Sequence, residues 1–322
     1  MPPTPHDWSP RGWRVVEPVV GALVVAVLLG GLALAAASLD GVLAARGRSS
    51  GMAAGWSAPL AEAARLMRQR RRTIVAADVL LWRVGGAALL VLALLKAVVV
   101  PVGGRSVADL AVGVVWFNAM DVTVWAAVWL LGWGANSAHA LVGGYRFLAQ
   151  GLAYELPLMF ALTAPAVAAG SLRLAEVEAA QQGGAWFVLW MPVAFAVFCL
   201  GVVAFSVWGP LSVPAGVDVA GGVLAELSGV DRLLVLAGRY ALLAAGAAFA
   251  VPMFLGGADG PVLPGWAWFG LKVVLLLALL VALRRHLPVL RPDRFVEVGW
   301  LVLLPAVLLQ VLVVSVVAVW RY

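Results

Sequence analysis

Apolar residues along this chain come in long unbroken blocks, not in the period-two alternation of a half-buried strand or the narrow stripe of a soluble amphipathic helix. Blocks at 18–38, 80–102, 112–133, 147–169, 186–208, 232–254, 267–285 and 298–319 are each close to the roughly twenty residues an α-helix needs to cross a bilayer. Helices are required there because lipid offers no partner to backbone N–H and C=O groups, and the alternating segments of a membrane barrel are absent. The pattern therefore predicts an all-α integral membrane protein of about eight transmembrane helices. A polar segment, 1–17, precedes a single polytopic domain, 18–322. No cleavage site follows the first block, so that block is expected to stay in the membrane.

Between the first two blocks the periodicity changes. From Pro59 onward, apolar residues recur three and four apart with basic residues opposite, which predicts an amphipathic helix at about 57–72 lying in the cytoplasmic interface. Its side of the membrane follows from the arginines. Arg46, Arg48, Arg65, Arg68, Arg70, Arg71 and Arg72 lie between blocks one and two, and Arg285, Arg291 and Arg294 between blocks seven and eight. Positive loops are retained in the cytoplasm, so both termini are expected on the non-cytoplasmic side of a bacterial inner membrane. Trp56, Trp82, Trp186, Trp208, Trp266 and Trp300 stand near block ends, where an indole suits the headgroup layer.

Composition agrees: 64% of the 322 residues are hydrophobic and 12% charged, which excludes a soluble domain. The net charge of +6 belongs to the loops beside apolar blocks and forms no basic face with interleaved aromatics, so nucleic acid is not an expected partner. Cys199 is the only cysteine, which excludes an intramolecular disulfide and a cysteine-ligated iron–sulfur cluster. His6, His139 and His286 lack metal-ligand spacing, and no metal site is expected.

Three stretches carry a resemblance. The first is Asp109-Leu-Ala-Val-Gly-Val-Val-Trp-Phe followed by Gly132-Trp-Gly-Ala-Asn-Ser and then Tyr154-Glu-Leu-Pro-Leu. The second is Gly170-Ser-Leu with Gln181 beyond it. The third is Trp268-Phe-Gly-Leu-Lys, then Arg284-Arg-His-Leu-Pro-Val-Leu-Arg-Pro-Asp-Arg-Phe, then Gly299-Trp-Leu-Val-Leu-Leu-Pro. In this order and spacing they resemble the quinone-module membrane component of the complex I family, its H-type subunit. The resemblance implies an eight-span fold with an interfacial helix, docked to hydrophilic iron–sulfur subunits and to antiporter-like membrane subunits. It also implies a share in a quinone chamber and in a proton-coupling route of a proton-translocating NADH-quinone oxidoreductase. Members of that family bear no permanent cofactor; quinone is the substrate, and NAD and iron–sulfur clusters sit on partners.

Glu155 lies inside the fourth block, where a carboxylate costs several kcal/mol unless it faces a polar cavity or partner, so it is the expected proton-route residue. Asp121, in the third block, is a second intramembrane acid without a family equivalent, able to pair with Lys96 or Arg146 or to share Glu155's cavity. Arg146, Gln150, Tyr154 and Glu226 are candidates for the rim of the quinone chamber. Arg285, Arg291, Asp293 and Arg294 are candidates for docking the hydrophilic subunits, alongside their topological role. Lys272 matches a family lysine and could equally reach the headgroup layer.

The chain also departs from the family pattern. The acidic run expected after the fifth block is Phe205-Ser-Val-Trp-Gly-Pro-Leu-Ser-Val-Pro-Ala-Gly-Val-Asp here, and Arg239-Tyr240 stands where Glu-Tyr is usual. The charged motif after the first block is reduced to Ser38-Leu-Asp. These losses point to a divergent paralogue with altered quinone and proton residues. They leave open the membrane anchor of a membrane-bound hydrogenase or formate-oxidising complex, and a stand-alone transporter or scaffold.

Overall fold

The computed structural model describes residues 14–15, 17–47, 52–217 and 221–321. Most of the polar segment 1–17, with His6 and Arg11, and also Arg48 and Asp218, lie outside them. Among the described residues twelve α-helices follow in chain order: α1 (Pro18–Gly47), α2 (Met52–Arg68), α3 (Val79–Ala97), α4 (Gly113–Gly134), α5 (Ala138–Ala169), α6 (Leu174–Ala179), α7 (Phe187–Trp190), α8 (Pro192–Phe205), α9 (Gly229–Phe254), α10 (Gly265–His286), α11 (Pro292–Val298) and α12 (Leu304–Arg321). The one regular β element among the described residues is a two-residue parallel ladder, Arg14–Val15 beside Arg105–Ser106.

Seven of the described helices are long and apolar enough to cross a membrane: α1, α3, α4, α5, α9, α10, and the run from α11 through a π-helical turn, Gly299–Leu303, into α12. The expected fifth crossing, 186–208, is instead the short α7 and the fourteen-residue α8. Pro192 explains the break. It has no N–H to donate and disfavours helical geometry at the preceding residue, and Met191 has left the helix with φ −122° and ψ 47°. Pro157 and Pro165 do not interrupt α5, which runs on to a left-handed Gly170.

The amphipathic helix is present as α2, but it begins at Met52 and ends at Arg68, so Pro59 lies inside it. Proline at that position removes the helical donor to the Gly55 carbonyl. That carbonyl lies against Gly41 of α1, and a Cβ on Gly41 would collide with it. The two glycines thus let α2 lie directly on α1, in the small-residue manner of close helix contacts in membranes.

The centre of the bundle is α9, the most enclosed of the long helices, which packs on α3, α1, α8 and α10; α1 and α12 are the least enclosed. A polar cluster closes the end of α9 beyond Pro252. Lys272 Nζ donates to the carbonyls of Leu255, Gly257 and Asp259 at 2.7, 3.0 and 2.8 Å, while lying 4.0 Å from the Trp186 ring centre. Its role here is therefore to satisfy backbone freed at a helix end. Gln181 works from the other side, accepting from Phe187 and Gly256 N–H and donating to the Pro252 carbonyl. The headgroup expectation fails for Trp82 and Trp208, which are 3% and 2% exposed. Trp82 packs on the glycine end of α4, at Gly134, and Trp208 against Tyr240.

Candidate functional site

The Gly132-Trp-Gly-Ala-Asn-Ser stretch turns the chain tightly from α4 to α5. Asn136 takes φ +46°, a conformation asparagine tolerates, and its Nδ2 donates to the Ala76 carbonyl at 3.0 Å. This turn sets α4 and α5 side by side, so that Asn118, Asp121 and Trp125, spaced three and four apart on α4, meet Tyr154 and Glu155 of α5. From α3, the last turn brings Lys96. Its Nζ lies 2.9 Å from Asp121 Oδ1, and both side chains are wholly buried. The ammonium also sits 4.2 and 3.6 Å from the ring centres of Phe117 and Phe205, so aromatic faces replace the water it has lost. Asn118 Nδ2 donates to Glu155 Oε1 at 3.0 Å, and Trp125 Nε1 to the Tyr154 hydroxyl at 3.0 Å. The carboxyl groups of Asp121 and Glu155 face each other within hydrogen-bonding reach, as do Asp121 and the Tyr154 hydroxyl.

Of the two partners open to Asp121 on sequence, then, Lys96 is the one it pairs with. Arg146 reaches elsewhere: its Nη1 donates to the Gly221 carbonyl at 2.8 Å. Among the described residues, three oxygens of the cluster are buried without a hydrogen-bond partner: Asn118 Oδ1, Asp121 Oδ2 and Glu155 Oε2. Buried polar atoms are nearly always satisfied, so this concentration of unmet acceptors marks a place where something with a hydrogen to give, or a positive charge, belongs.

A second feature lies at the arginine-rich end of the bundle. A cavity of about 670 Å³ runs between α1, α2, α3 and α9, walled by residues such as Leu29, Ala33, Leu60, Leu94 and Leu236 and ending at Asp40 and Tyr240. Asp40 Oδ2 accepts from Arg284 at 2.7 Å and Oδ1 from Arg285 at 2.8 Å, and the Tyr240 hydroxyl is 3.4 Å from Oδ2. Trp208 lies behind this group, with the Arg284 and Arg239 guanidinium groups 5.0 and 5.9 Å from its ring centre. Arg239 donates to the Val207 carbonyl. A separate cavity of about 580 Å³ is lined by Arg146, Ser212, Arg291 and Asp293, among others.

The expected site residues are therefore distributed over several places. Glu155, Asp121 and Tyr154 share the buried cluster. Arg146, Arg291 and Asp293 share the second cavity. Gln150 is buried and donates to the Ala204 carbonyl at 2.8 Å, while Glu226 accepts from Ser137 Oγ at 2.7 Å. Arg285 is engaged with Asp40, whereas Arg291, Asp293 and Arg294 are well exposed and pair with near neighbours. Asn118, Asp40, Arg284 and Tyr240 were not among the expected site groups; Asn118 carries a signal in the chain, since it stands three residues before Asp121 on the same α4 face. Outside the spans, Glu178 of α6 is 2% exposed, and burial pushes its carboxyl up to about 7 despite a hydrogen bond from the Ala258 N–H.

The NADH dehydrogenase family model matches residues 19–315. The chain belongs to the NADH dehydrogenase family of H-type membrane subunits. Its similarity to the second H-type subunit of the NADH-quinone oxidoreductase of Cereibacter sphaeroides is 40% identity over 217 residues, 67% of this chain and 68% of that one. The second H-type subunit of the Geobacter sulfurreducens enzyme is 36% identical over 266 residues, 79% and 80% of the two chains. That of Geobacillus kaustophilus is 33% identical over 220 residues, 67% and 66%. This family member is thus a multi-pass, all-α membrane protein whose intramembrane charges converge on Lys96, Asp121 and Glu155.

Proposed function

We propose that this chain is the quinone-module membrane subunit of an NADH-quinone oxidoreductase in a bacterial inner membrane, with both termini on the non-cytoplasmic side. The arginine-rich end would then face the cytoplasm and the hydrophilic iron–sulfur subunits, which hold the NAD and the clusters, while antiporter-like subunits adjoin it in the membrane. The observation that carries the reading is the 670 Å³ cavity. Its rim includes residues exposed on the membrane-facing sides of α1, α2 and α3, among them Leu34, Leu60 and Val91, and its inner end is polar at Asp40 and Tyr240. An isoprenoid quinone has the matching form, an apolar tail behind a headgroup that accepts hydrogen bonds. Glu155 and Asp121 carry protons in the coupling route, since an ionisable group inside the membrane is costly without such a task.

The uncharged stretch from Phe205 to Val217 and the arginine at 239 favour a divergent form, and they keep alive the anchor of a membrane-bound hydrogenase or formate-oxidising complex. One experiment separates them. The tagged protein is extracted from native membranes in mild detergent, its co-purifying subunits are identified by mass spectrometry, and the complex is labelled with a photoreactive quinone. NADH-oxidising and antiporter-like subunits, with label on peptides from α1, α2 or α9, are expected. Hydrogenase or formate-oxidising partners would establish the anchor instead, and a chain that isolates alone would remove both readings.

A further inference from the structure

Three observations meet in the buried cluster. Lys96, Asp121 and Glu155 bring one cation and two carboxyl groups together, with Asp121 wholly buried and salt-bridged and Glu155 facing it. Lys96 is committed to Asp121 Oδ1, and Asn118 to Glu155 Oε1. The remaining oxygen of each acid, Asp121 Oδ2 and Glu155 Oε2, has no donor. Two ionised carboxylates here would leave one negative charge uncompensated in lipid and two buried acceptors unmet, which the protein interior strongly disfavours.

We propose that Asp121 and Glu155 hold one proton between them, with Lys96 as their fixed counter-ion, so that the cluster is a neutral, single-proton store. A proton on Glu155 Oε2 donated to Asp121 Oδ2 meets both unmet acceptors at once, and the charges sum to zero: +1 on Lys96, −1 on Asp121, none on Glu155. The proton is mobile between the two acids because each is its neighbour's acceptor. A metal cation would also balance the charge, but it would have to sit beside an ammonium already within 2.9 Å of the same aspartate and would find only three free oxygens. The other ionisable group facing the pair is Tyr154 of α5, held at its hydroxyl by Trp125. From α8's end and α9 come Phe205 and Phe249, the latter stacked on Phe117 at 3.8 Å, which keep water away. The inference deepens the proton-route reading given above by naming the group that stores the proton, and Lys96 enters as a positioning residue that sets how many protons the pair keeps.

The test is infrared spectroscopy of the purified complex in lipid, reading the carbonyl stretch of protonated carboxyl groups that shifts on exchange into D2O. A shared proton makes an unusual prediction: the band disappears in Asp121→Asn and equally in Glu155→Gln, because the acid left behind ionises against Lys96. In Lys96→Met both acids are held neutral and the band about doubles. Should single variants fail to assemble, Lys96→Met/Asp121→Asn removes a whole ion pair and keeps the cluster neutral; it retains one band, which Glu155→Gln then abolishes. A band lost in only one of the two acid variants, or absent from the wild type throughout the stable pH range, overturns the proposal. So does a band abolished by adding sodium at fixed pH, which would make this a cation site. Proton translocation is measured separately, so that a shared proton without coupled pumping would remove the route and leave the store intact.

Discussion

Arg285 Nη2 lies 2.8 Å from Asp40 Oδ1, and Arg284 holds the other carboxylate oxygen, so the last turns of α10 are tied to α1 across almost the whole sequence. Asp40 is nearly enclosed while both arginines are partly solvated. Asp40→Asn should leave two cations facing each other beside Trp208 and lower stability by about 1–3 kcal/mol. Thermal unfolding of the purified protein in detergent measures this. Arg285→Lys, which keeps one charge but not the planar fork, should fall between the two, and equal stability of wild type and Asp40→Asn would show the contact to be idle.

Lys272 offers a second test. Its three carbonyl partners are left without donors in Lys272→Met, at about 1–3 kcal/mol for each group that water cannot reach. The expected result is a lower unfolding temperature and reduced recovery from membranes, with quinone labelling of α1 and α2 unaffected in the protein that remains. A headgroup anchor would predict almost no change.

Glu178 gives the pH dependence. Burial raises its carboxyl from an ordinary 4.5 to about 7, so the folded protein binds this proton more tightly than the unfolded chain does. Its effect on stability is therefore neutral to favourable below 4.5, worsens as pH rises toward 7, and stays at its full cost above that. Glu178→Gln removes the dependence and can still accept from Ala258 N–H. The difference in unfolding temperature between the variant and the wild type should open across pH 5 to 7 in the variant's favour, then level off, as the printed shift from 4.5 to about 7 requires; a constant difference would be the contrary result.

Gly41→Ala and Gly55→Ala test the seat of α2. In each case a Cβ would meet backbone of the partner helix well inside contact distance, so no side-chain adjustment relieves it. The helix has to lift from α1, at about 1–3 kcal/mol, and the cavity it roofs should open. Photoreactive quinone should then label α1 and α2 several-fold less efficiently than in the wild type. Gly30→Ala, with no heavy atom near the new methyl, serves as the silent control.

Much of this fold is legible in the chain alone. Seven crossings follow from block length, because lipid imposes a minimum run that no soluble helix has to meet. The eighth differs in form: apolar content says that 186–208 sits in the membrane, but only the geometry at Met191-Pro192 says where it breaks. Pro59 misleads in the opposite direction, since it reads as a helix start and is in fact tolerated where α1 receives the freed carbonyl. Within the site, Glu155 and Asp121 stand out because charge is rare in such blocks. That Lys96 belongs to Asp121 requires the packing of α3 on α4, and nothing local distinguishes that pairing from one with Arg146. Asp40 is legible only as a reduced motif. Its arginine partners are 244 and 245 residues away, and no periodicity connects them.

The opening of the α1–α2 cavity toward the lipid has a practical consequence. A ligand entering between these helices is drawn from a two-dimensional solution, and its effective concentration is counted per lipid, not per litre. Apparent affinities measured on this protein will therefore drift with the lipid-to-protein ratio and with chain saturation, even when nothing at Asp40 or Tyr240 has changed. Two compounds with identical headgroups and tails of different length will rank by how they partition before they rank by how they bind.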